Sequence, residues 1–274
     1  MNPNLPDRIG VVLSSGYFGF FAHAGFLKAL EACGINISCI SGSSSGALTA
    51  GLFMSGHSAD EIFEIYKNLQ KKTFWKVDYQ GIIKNFFQFK GFSGLLNIKA
   101  GLRFFEPFFV KDFSDSKIPG IIIGLNLTQK KKAVFDRGDL LKAVLISSTI
   151  PFLFKPVSFN RDYFIDGGIV DKAPLWELHQ KQAADLYLVH LLESSVLTRQ
   201  AIKLNNPFQL NSLSQAITRK EDYLLQKQLI LGENKKILEF NPPNIKVSPN
   251  SLDKGPAAFE KTYQFTMRQF DKHF

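Results

Sequence analysis

The stretch from Ile37 to Gly51 reads I-S-C-I-S-G-S-S-S-G-A-L-T-A-G. Its opening residues, Ile37–Ile40, form a mostly β-branched run that predicts a short strand, and the small residues from Ala47 onward predict a helix. Between them lie Gly42, Ser43, Ser44, Ser45 and Gly46. A strand, a sharp turn and a helix form the setting in which a G-x-S-x-G sequence presents a nucleophilic serine.

Ser44, at the centre of this nucleophile elbow, is predicted to lie on a strained turn that small neighbours permit. Gly42 and Gly46 allow the strand and the helix to approach closely, and Ser43 and Ser45 complete the turn. The helix N-terminus then directs its unpaired N–H groups towards the serine. The alternative is a serine-rich loop, because G-x-S-x-G also arises by chance.

Composition is that of an ordinary globular protein. The 274 residues are 45% hydrophobic and 21% charged, enough material for one large α/β domain or two small ones. No internal repeat or low-complexity linker divides the chain. We therefore expect a single domain over residues 1–274 that contains an insertion.

Charge and cysteine content restrict the partners and the compartment. There are 33 basic against 24 acidic residues, and the net charge of +9 favours anionic partners: nucleic acid, acidic ligands or an anionic membrane surface. Cys33 and Cys39 are interpreted as buried free thiols in a reducing compartment. No secretory signal and no apolar run of about 18 residues is visible. We expect a cytoplasmic protein, with any membrane contact peripheral.

Apolar runs alternate with amphipathic stretches along the chain. Ile9–Leu13, Gly120–Leu127 and Asp185–Leu192 are largely apolar, which is typical of strands buried on both faces of a parallel sheet. Further strands are predicted at 133–135, 163–165 and 236–240, and helices at 22–33, 60–71, 138–146 and 207–231 and from residues 174 and 256. This alternation favours an α/β fold with a mainly parallel sheet.

Residues 72–118 differ from the rest because aromatic and basic residues are interleaved there. Between Lys71 and Lys111 eight basic residues face two acidic ones, a local charge of +6 (8 minus 2). This insertion is interpreted as a lid or membrane-facing surface. The alternative is a helical sub-core in which the aromatic side chains are buried. No base-stacking module is recognisable, so nucleic acid is not expected to bind.

A nucleophilic serine needs a base. In the α/β-hydrolase order of serine, acid and histidine, His190 lies in a strand pattern and His273 is penultimate, so a triad remains an alternative. Asp166 follows a predicted strand and precedes Gly167 and Gly168, which places its carboxylate at a strand end. Burial there would raise its pKa from about 4 towards the range of a working base. The alternative for Asp-Gly-Gly is a plain turn.

Three blocks in this order resemble the patatin-like phospholipases, which are serine acyl hydrolases with a Ser–Asp dyad and no histidine. They are Leu13–Leu30 (L-S-S-G-Y-F-G-F-F-A-H-A-G-F-L-K-A-L), the elbow Gly42–Gly46, and Ser147–Pro174, which contains I-D-G-G. The resemblance implies a three-layer α/β/α sandwich, Ser44 as nucleophile and Asp166 as base. It further implies a phospholipid or other lipid ester as substrate and neither a metal nor an organic cofactor.

One block departs from the family pattern. The family's loop usually reads G-G-G-x-[RK]-G and forms the oxyanion hole with its backbone N–H groups; residues 15–20 here read S-G-Y-F-G-F. Gly16 matches a loop glycine, and Gly19 stands where the cation is expected. The resemblance implies the Gly16 and Tyr17 amides as donors, and Tyr17, Phe18, Phe20 and Phe21 would make the entrance apolar. A second alternative is therefore a lipid-binding regulator with weak catalysis.

Overall fold

A computed structural model describes residues 5–71, 99–151, 153–194, 197, 206–243 and 245–273. The strands are β1 (Ile9–Leu13), β2 (Ile37–Ser43), β3 (Gly120–Asn126), β4 (Lys131–Phe135), β5 (Val157–Phe159), β6 (Asp162–Asp166), β7 (Leu186–His190) and β8 (Lys236–Phe240). The helices are α1 (Phe20–Ala32), α2 (Ser45–Met54), α3 (Ala59–Lys67), α4 (Lys99–Phe105), α5 (Leu140–Ser147), α6 (Leu175–Lys181), α7 (Pro207–Gly232) and α8 (Gly255–His273).

The eight strands within the described residues form one sheet in the order β5-β6-β3-β2-β1-β7-β8, with β4 paired to β3. Strands β1, β2, β3, β7 and β8 are mutually parallel, whereas β4 and β6 run antiparallel to β3. The mainly parallel sheet predicted from the sequence is confirmed, with an antiparallel portion around β3.

Helices cover both faces of the sheet because alternate strand residues point to opposite sides. Val11 and Leu13 of β1 pack in the core formed with α1, α2, α3, α5 and α8. Val12, between them, packs in a second core with α6 and α7. The three-layer architecture expected from the resemblance is therefore what the chain adopts.

Several predicted elements match closely and others shift. The strand at 236–240 has the predicted bounds, and Ser58 and Glu61 form a capping box at the start of α3. β2 continues to Ser43 and α2 starts at Ser45, so the turn between them is tighter than the sequence indicated. Strand β5 is not among the strands predicted from the sequence. Cys39 is buried, but Cys33 is half-buried rather than buried.

The aromatic insertion is partly visible. Residues 72–98 lie outside the described residues, and with them Lys84, Lys90 and the first aromatic residues of the insertion. In the part from 99 to 118, Phe105 and Phe113 are buried and Phe104, Phe108 and Phe109 are half-buried against the main core. The aromatic side chains of this part pack as a sub-core. The lid remains a prediction for the insertion as a whole. Among the described residues, no helix is both long and apolar enough to cross a membrane.

Candidate active site

Two strand ends meet at the centre of the sheet. β3 pairs with β2 through its first half and with β6 through its second half, so that Ser43 lies opposite Ile123 while Asp166 lies opposite the next residue, Gly124. Both partners lie on the edge of β3 away from β4, because Ile123 and Gly124 also pair with Val134 and Ala133. The topology therefore places Asp166 beside the turn that follows β2.

The turn after β2 holds Ser44 in a strained conformation. Its φ of 53° and ψ of −117° lie outside the regions that L-residues favour. A Cβ on Gly42 would collide with the carbonyl of Gly46, and one on Gly46 with that of Leu13, so the close approach requires glycine at both positions. The Ser44 N–H donates to Ser147 Oγ at 2.9 Å, which ties the turn to the end of α5.

The Ser44 hydroxyl donates to Asp166 Oδ2 at 2.7 Å. Both residues are buried, with exposed fractions of 5% and 4%. The other carboxylate oxygen, Oδ1, accepts the Gly168 N–H at 2.6 Å, and the Asp166 N–H donates to the Thr149 carbonyl at 3.0 Å. The last residue of α5, Ser147, and Thr149 just after it therefore anchor the backbones of Ser44 and Asp166, respectively.

Burial changes the acidity of Asp166. Desolvation raises the pKa of its carboxyl group from 3.8 to about 7, against the opposing effects of the hydrogen bonds from Ser44 and Gly168 and of the Arg219 charge. A carboxyl group with this pKa is half ionised near neutral pH. It can accept a proton from a hydroxyl group more readily than a solvated aspartate can.

The loop between β1 and α1 is anchored at both ends. Ser14 donates its N–H to the His190 carbonyl, the Ser15 N–H donates to the Lys172 carbonyl, and the Gly19 N–H closes a turn onto Gly16 at 2.6 Å. Tyr17 adopts a left-handed φ of 29°. Within the described part of the chain, the Gly16 and Tyr17 N–H groups donate to no acceptor. These are the two amides that the resemblance implied as oxyanion donors.

An apolar cavity of about 110 Å³ opens beside Ser44. Its walls come from the loop after β1 and the start of α1, from the elbow and α2, from the segment after α3, from the insertion, and from the end of α5 and the residues after it. The lining residues are Tyr17, Phe18, Phe20, Ser44, Ser45, Leu48, Leu69, Gly101, Phe105, Leu145, Ser148, Ile150 and Phe154. Phe21 was expected at this entrance but is buried in the core, where it packs against Phe63 and Tyr66. This mostly apolar lining suits a hydrocarbon chain better than a polar group.

The described histidine side chains have partners away from Ser44. His23 and His190 face each other with an Nδ1–Nδ1 distance of 2.7 Å, His57 bonds the Phe108 carbonyl, and His179 bonds Tyr187 and Glu233. The side chain of His273 lies outside the described residues. In the parts of the chain that the structure describes, no cluster of His, Cys, Asp and Glu is suited to hold a metal ion.

Sequence reasoning missed the roles of three neighbours of the pair. Ser147 and Thr149 lie in the third family block, Ser147–Pro174, but only the structure shows that they form hydrogen bonds with Ser44 and Asp166, respectively. Arg219 carried no signal, because an arginine in a long polar helix resembles a surface residue. Its Nη1 donates to the Gly168 carbonyl, two residues from Asp166.

Comparison with known proteins identifies the family of this chain. The family model described as "Patatin-like phospholipase" matches residues 11–179. Among curated proteins, the "Lysophospholipase NTE1" of Meyerozyma guilliermondii is 25% identical over 182 residues, 65% of this chain and 12% of that protein. The protein of the same name from Cryptococcus neoformans is 26% identical over 185 residues, 67% of this chain and 11% of that protein. The chain thus corresponds to a small part of these relatives.

Among solved structures, VipD from Legionella pneumophila superposes with a TM-score of 0.54 and 16% identity, over 98% of this chain and 67% of that one. At that identity the likeness concerns the fold. The family match spans more than half of the sequence and includes the last three residues of β1, the elbow and the Asp-Gly-Gly turn. The chain belongs to the patatin-like phospholipase family.

Proposed function

We propose that this protein is a serine acyl hydrolase that cleaves fatty-acyl esters of phospholipids or related lipids through a Ser44–Asp166 dyad. The observation that carries the proposal is the 2.7 Å hydrogen bond from Ser44 Oγ to Asp166 Oδ2 beside an apolar cavity. Membership of a phospholipase family and the lysophospholipase names of its relatives support a lipid ester as substrate.

In the proposed acylation step, Ser44 Oγ attacks the ester carbonyl carbon while its proton passes to Asp166 Oδ2. The ester C–O bond then breaks, and the leaving alkoxide takes that proton. In the second step water attacks the acyl-serine, Asp166 accepts the water proton and returns it to Ser44, and the fatty acid is released. In each step the Asp166 carboxyl group first accepts a proton and then donates it, and a pKa near 7 favours both transfers.

The oxyanion in both steps is assigned to the Gly16 and Tyr17 amides. Their lack of acceptors and the left-handed backbone at Tyr17 support this role. Loss of one such donor costs roughly 100- to 1000-fold in turnover. The elbow residues Gly42, Ser43, Ser45 and Gly46 and the turn residues Gly167 and Gly168 maintain the geometry.

We also propose peripheral contact of a cytoplasmic protein with an anionic membrane surface through the insertion at 72–118. Its local excess of positive charge and its aromatic residues support this contact. Flotation with anionic liposomes tests it: charge reversal at Lys84, Lys90 and Lys99 should abolish co-flotation. Unchanged flotation of this variant contradicts the contact.

The decisive experiment compares hydrolysis of lysophospholipid, diacylphospholipid and soluble nitrophenyl esters by the wild type and variants. Ser44→Ala should lower kcat on the order of 10⁵-fold, and Asp166→Asn by about 10² to 10⁴. Ser38→Ala, at the opposite end of β2, and Asp162→Asn, at the opposite end of β6, are the matched controls. Activity that survives Ser44→Ala overturns the proposal.

The same series separates the two alternatives. A Ser–Asp–His esterase would lose activity on substitution of His190 or His273, whereas a dyad enzyme would retain it. A lipid-binding regulator would bind lysophospholipid with no turnover, and Ser44→Ala would leave that binding unchanged.

A further inference from the structure

Arg219 lies on the inward-facing stripe of α7. The buried residues described in this helix are Ala216, Tyr223, Gln226 and Ile230, and Arg219 follows Ala216 by three positions and precedes Tyr223 by four. Residues at these spacings share one helix face. Arg219 is consequently half-buried, and its guanidinium is directed at the turn that follows β6.

The guanidinium reaches the turn that carries the base. Its Nη1 donates to the carbonyl of Gly168, and its Nε donates to the Gln215 carbonyl of its own helix at 3.1 Å. The N–H of the same Gly168 donates to Asp166 Oδ1. Gly168 therefore links the cation of α7 to the carboxylate that accepts the Ser44 hydroxyl.

We propose that Arg219 is a positioning residue of the dyad, which orients Gly168 and stabilises the ionised carboxylate of Asp166 from behind. The inference rests on the proposed function.

The neighbouring lysines, Lys172 and Lys132, have other partners and do not take the role proposed for Arg219. Lys172 donates to the Leu192 carbonyl, and burial together with the nearby Arg219 charge lowers its pKa to about 8. Lys132 forms ion pairs with Asp171 and Glu177 at the far end of the Gly167–Asp171 turn.

Within the described residues, Arg219 is the charged side chain that perturbs Asp166, and it lowers the pKa of that carboxyl group. Ser44 and Gly168 contribute hydrogen bonds but no charge. The opposing and larger effect is desolvation. Loss of the guanidinium should therefore leave the carboxyl group less acidic still.

The test is the pH dependence of nitrophenyl ester hydrolysis and of Ser44 labelling by a fluorophosphonate. Arg219→Met should move the midpoint of both profiles to higher pH by about 0.5 to 1 unit, because an opposite charge is removed. Arg219→Gln keeps a donor for Gly168 without the charge and should shift in the same direction. Arg219→Lys should remain near the wild-type midpoint. Lys220→Met, an equal charge loss at the exposed neighbouring residue, is the matched control.

The outcomes are distinguishable. An Arg219→Met midpoint equal to that of the wild type, or a fall in kcat with no change in midpoint, overturns the inference while the dyad stands. An equal shift in Lys220→Met also overturns it. If Arg219→Met fails to fold, the Gln and Lys variants give the same comparison. A wild type that neither hydrolyses ester nor reacts with the fluorophosphonate overturns both the dyad and the inference.

Discussion

Two pairs of buried polar side chains in this molecule are joined by hydrogen bonds of equal length. Ser44 and Asp166 are 2.7 Å apart, and so are the Nδ1 atoms of His23 and His190. Burial perturbs both pairs, raising the pKa of Asp166 to about 7 and lowering that of His23 to about 3. Ser44 lines a cavity, whereas the His190 ring is stacked on Phe26 with centroids 4.6 Å apart.

The difference shows that burial does not by itself produce a reactive group. Desolvation disfavours the charged form in both pairs. For a carboxylic acid this moves the titration up to neutral pH, where the group can exchange protons. For an imidazole it moves the titration away from neutral pH and leaves an inert ring. A buried acid beside a cavity can therefore be a base, while a buried histidine is here a structural residue.

The hydrogen bonds of the histidine pair fit this structural role. His23 Nε2–H donates to the Ser14 carbonyl at 2.8 Å, so His190 must donate from Nδ1 to His23 Nδ1. The Nε2 of His190 then carries no proton, and it has no hydrogen-bond partner among the described residues. The pair holds the start of the loop that contains Gly16.

The pKa of Asp166 is raised and that of the histidine pair is lowered, so the two sites should change the unfolding free energy in opposite directions as the pH rises. The change at Asp166 is the largest of the effects on stability that we expect. Asp166, with its raised pKa, stabilises the fold below about pH 4, and this contribution is lost as the pH rises through 7. Asp166→Asn should therefore gain unfolding free energy relative to the wild type between pH 4 and pH 8. The gain should reach up to about 4 kcal/mol, for three units at about 1.36 each.

Chemical denaturation at several pH values measures this gain. Asp162→Asn, which removes a carboxyl group at the other end of β6, is the matched control. The histidine pair acts in the other direction, because its pKa is lowered: its contribution is present above about pH 6.5 and is lost as the pH falls towards 3. An Asp166→Asn variant whose relative stability does not depend on pH contradicts the raised pKa.

Substitution of the histidine pair should affect stability and not chemistry. His190→Phe keeps the stacking on Phe26 but leaves His23 Nδ1 without its donor, which should cost about 1 to 3 kcal/mol of unfolding free energy. Urea denaturation at pH 8 measures this cost, with the half-buried His57 substituted by Phe as the control. The pH midpoint of ester hydrolysis should stay near 7. A folded His190→Phe protein without activity would indicate a triad.

Among the described residues, the histidine pair has no cavity beside it comparable to the one beside Ser44. Substitution of a single glycine in the wall of that cavity should change the preference for acyl-chain length. Gly101 and Leu145 both line the cavity, and a Cβ on Gly101 would lie 3.9 Å from Leu145 Cδ2, so the cavity wall has room for a side chain at this position. Gly101→Leu should lower kcat/KM for long-chain esters about tenfold relative to butyryl esters. Gly232→Leu, at a position with open space, is the control. An unchanged preference between chain lengths contradicts the assignment of the cavity to the acyl chain.

The sequence predicted the sheet and the positions of Ser44 and Asp166 because each depends on local pattern. Short apolar runs indicate buried strands, and Gly42, Gly46 and Gly167 stand where backbones approach closely. The family blocks then linked two turns that lie 122 residues apart.

The remaining parts of the site depend on tertiary contacts that leave no local pattern. Arg219 is inward because α7 packs through Ala216 and Tyr223, and that face is apparent only when the sheet is in place. Phe21 resembles its aromatic neighbours in the sequence, yet one residue along a helix turns it about 100° from Phe20 into the core.

The pH dependence of covalent labelling tests the dyad most directly, because it requires no natural substrate. Intact-mass spectrometry after exposure to a fluorophosphonate should show one adduct, which peptide mapping places on Ser44. The labelling rate should rise with a midpoint near pH 7, as Asp166 ionises, and Asp166→Asn should abolish this rise. Labelling at another residue would contradict the account. So would a Ser44 labelling rate that changes neither with pH nor on substitution of Asp166 by Asn.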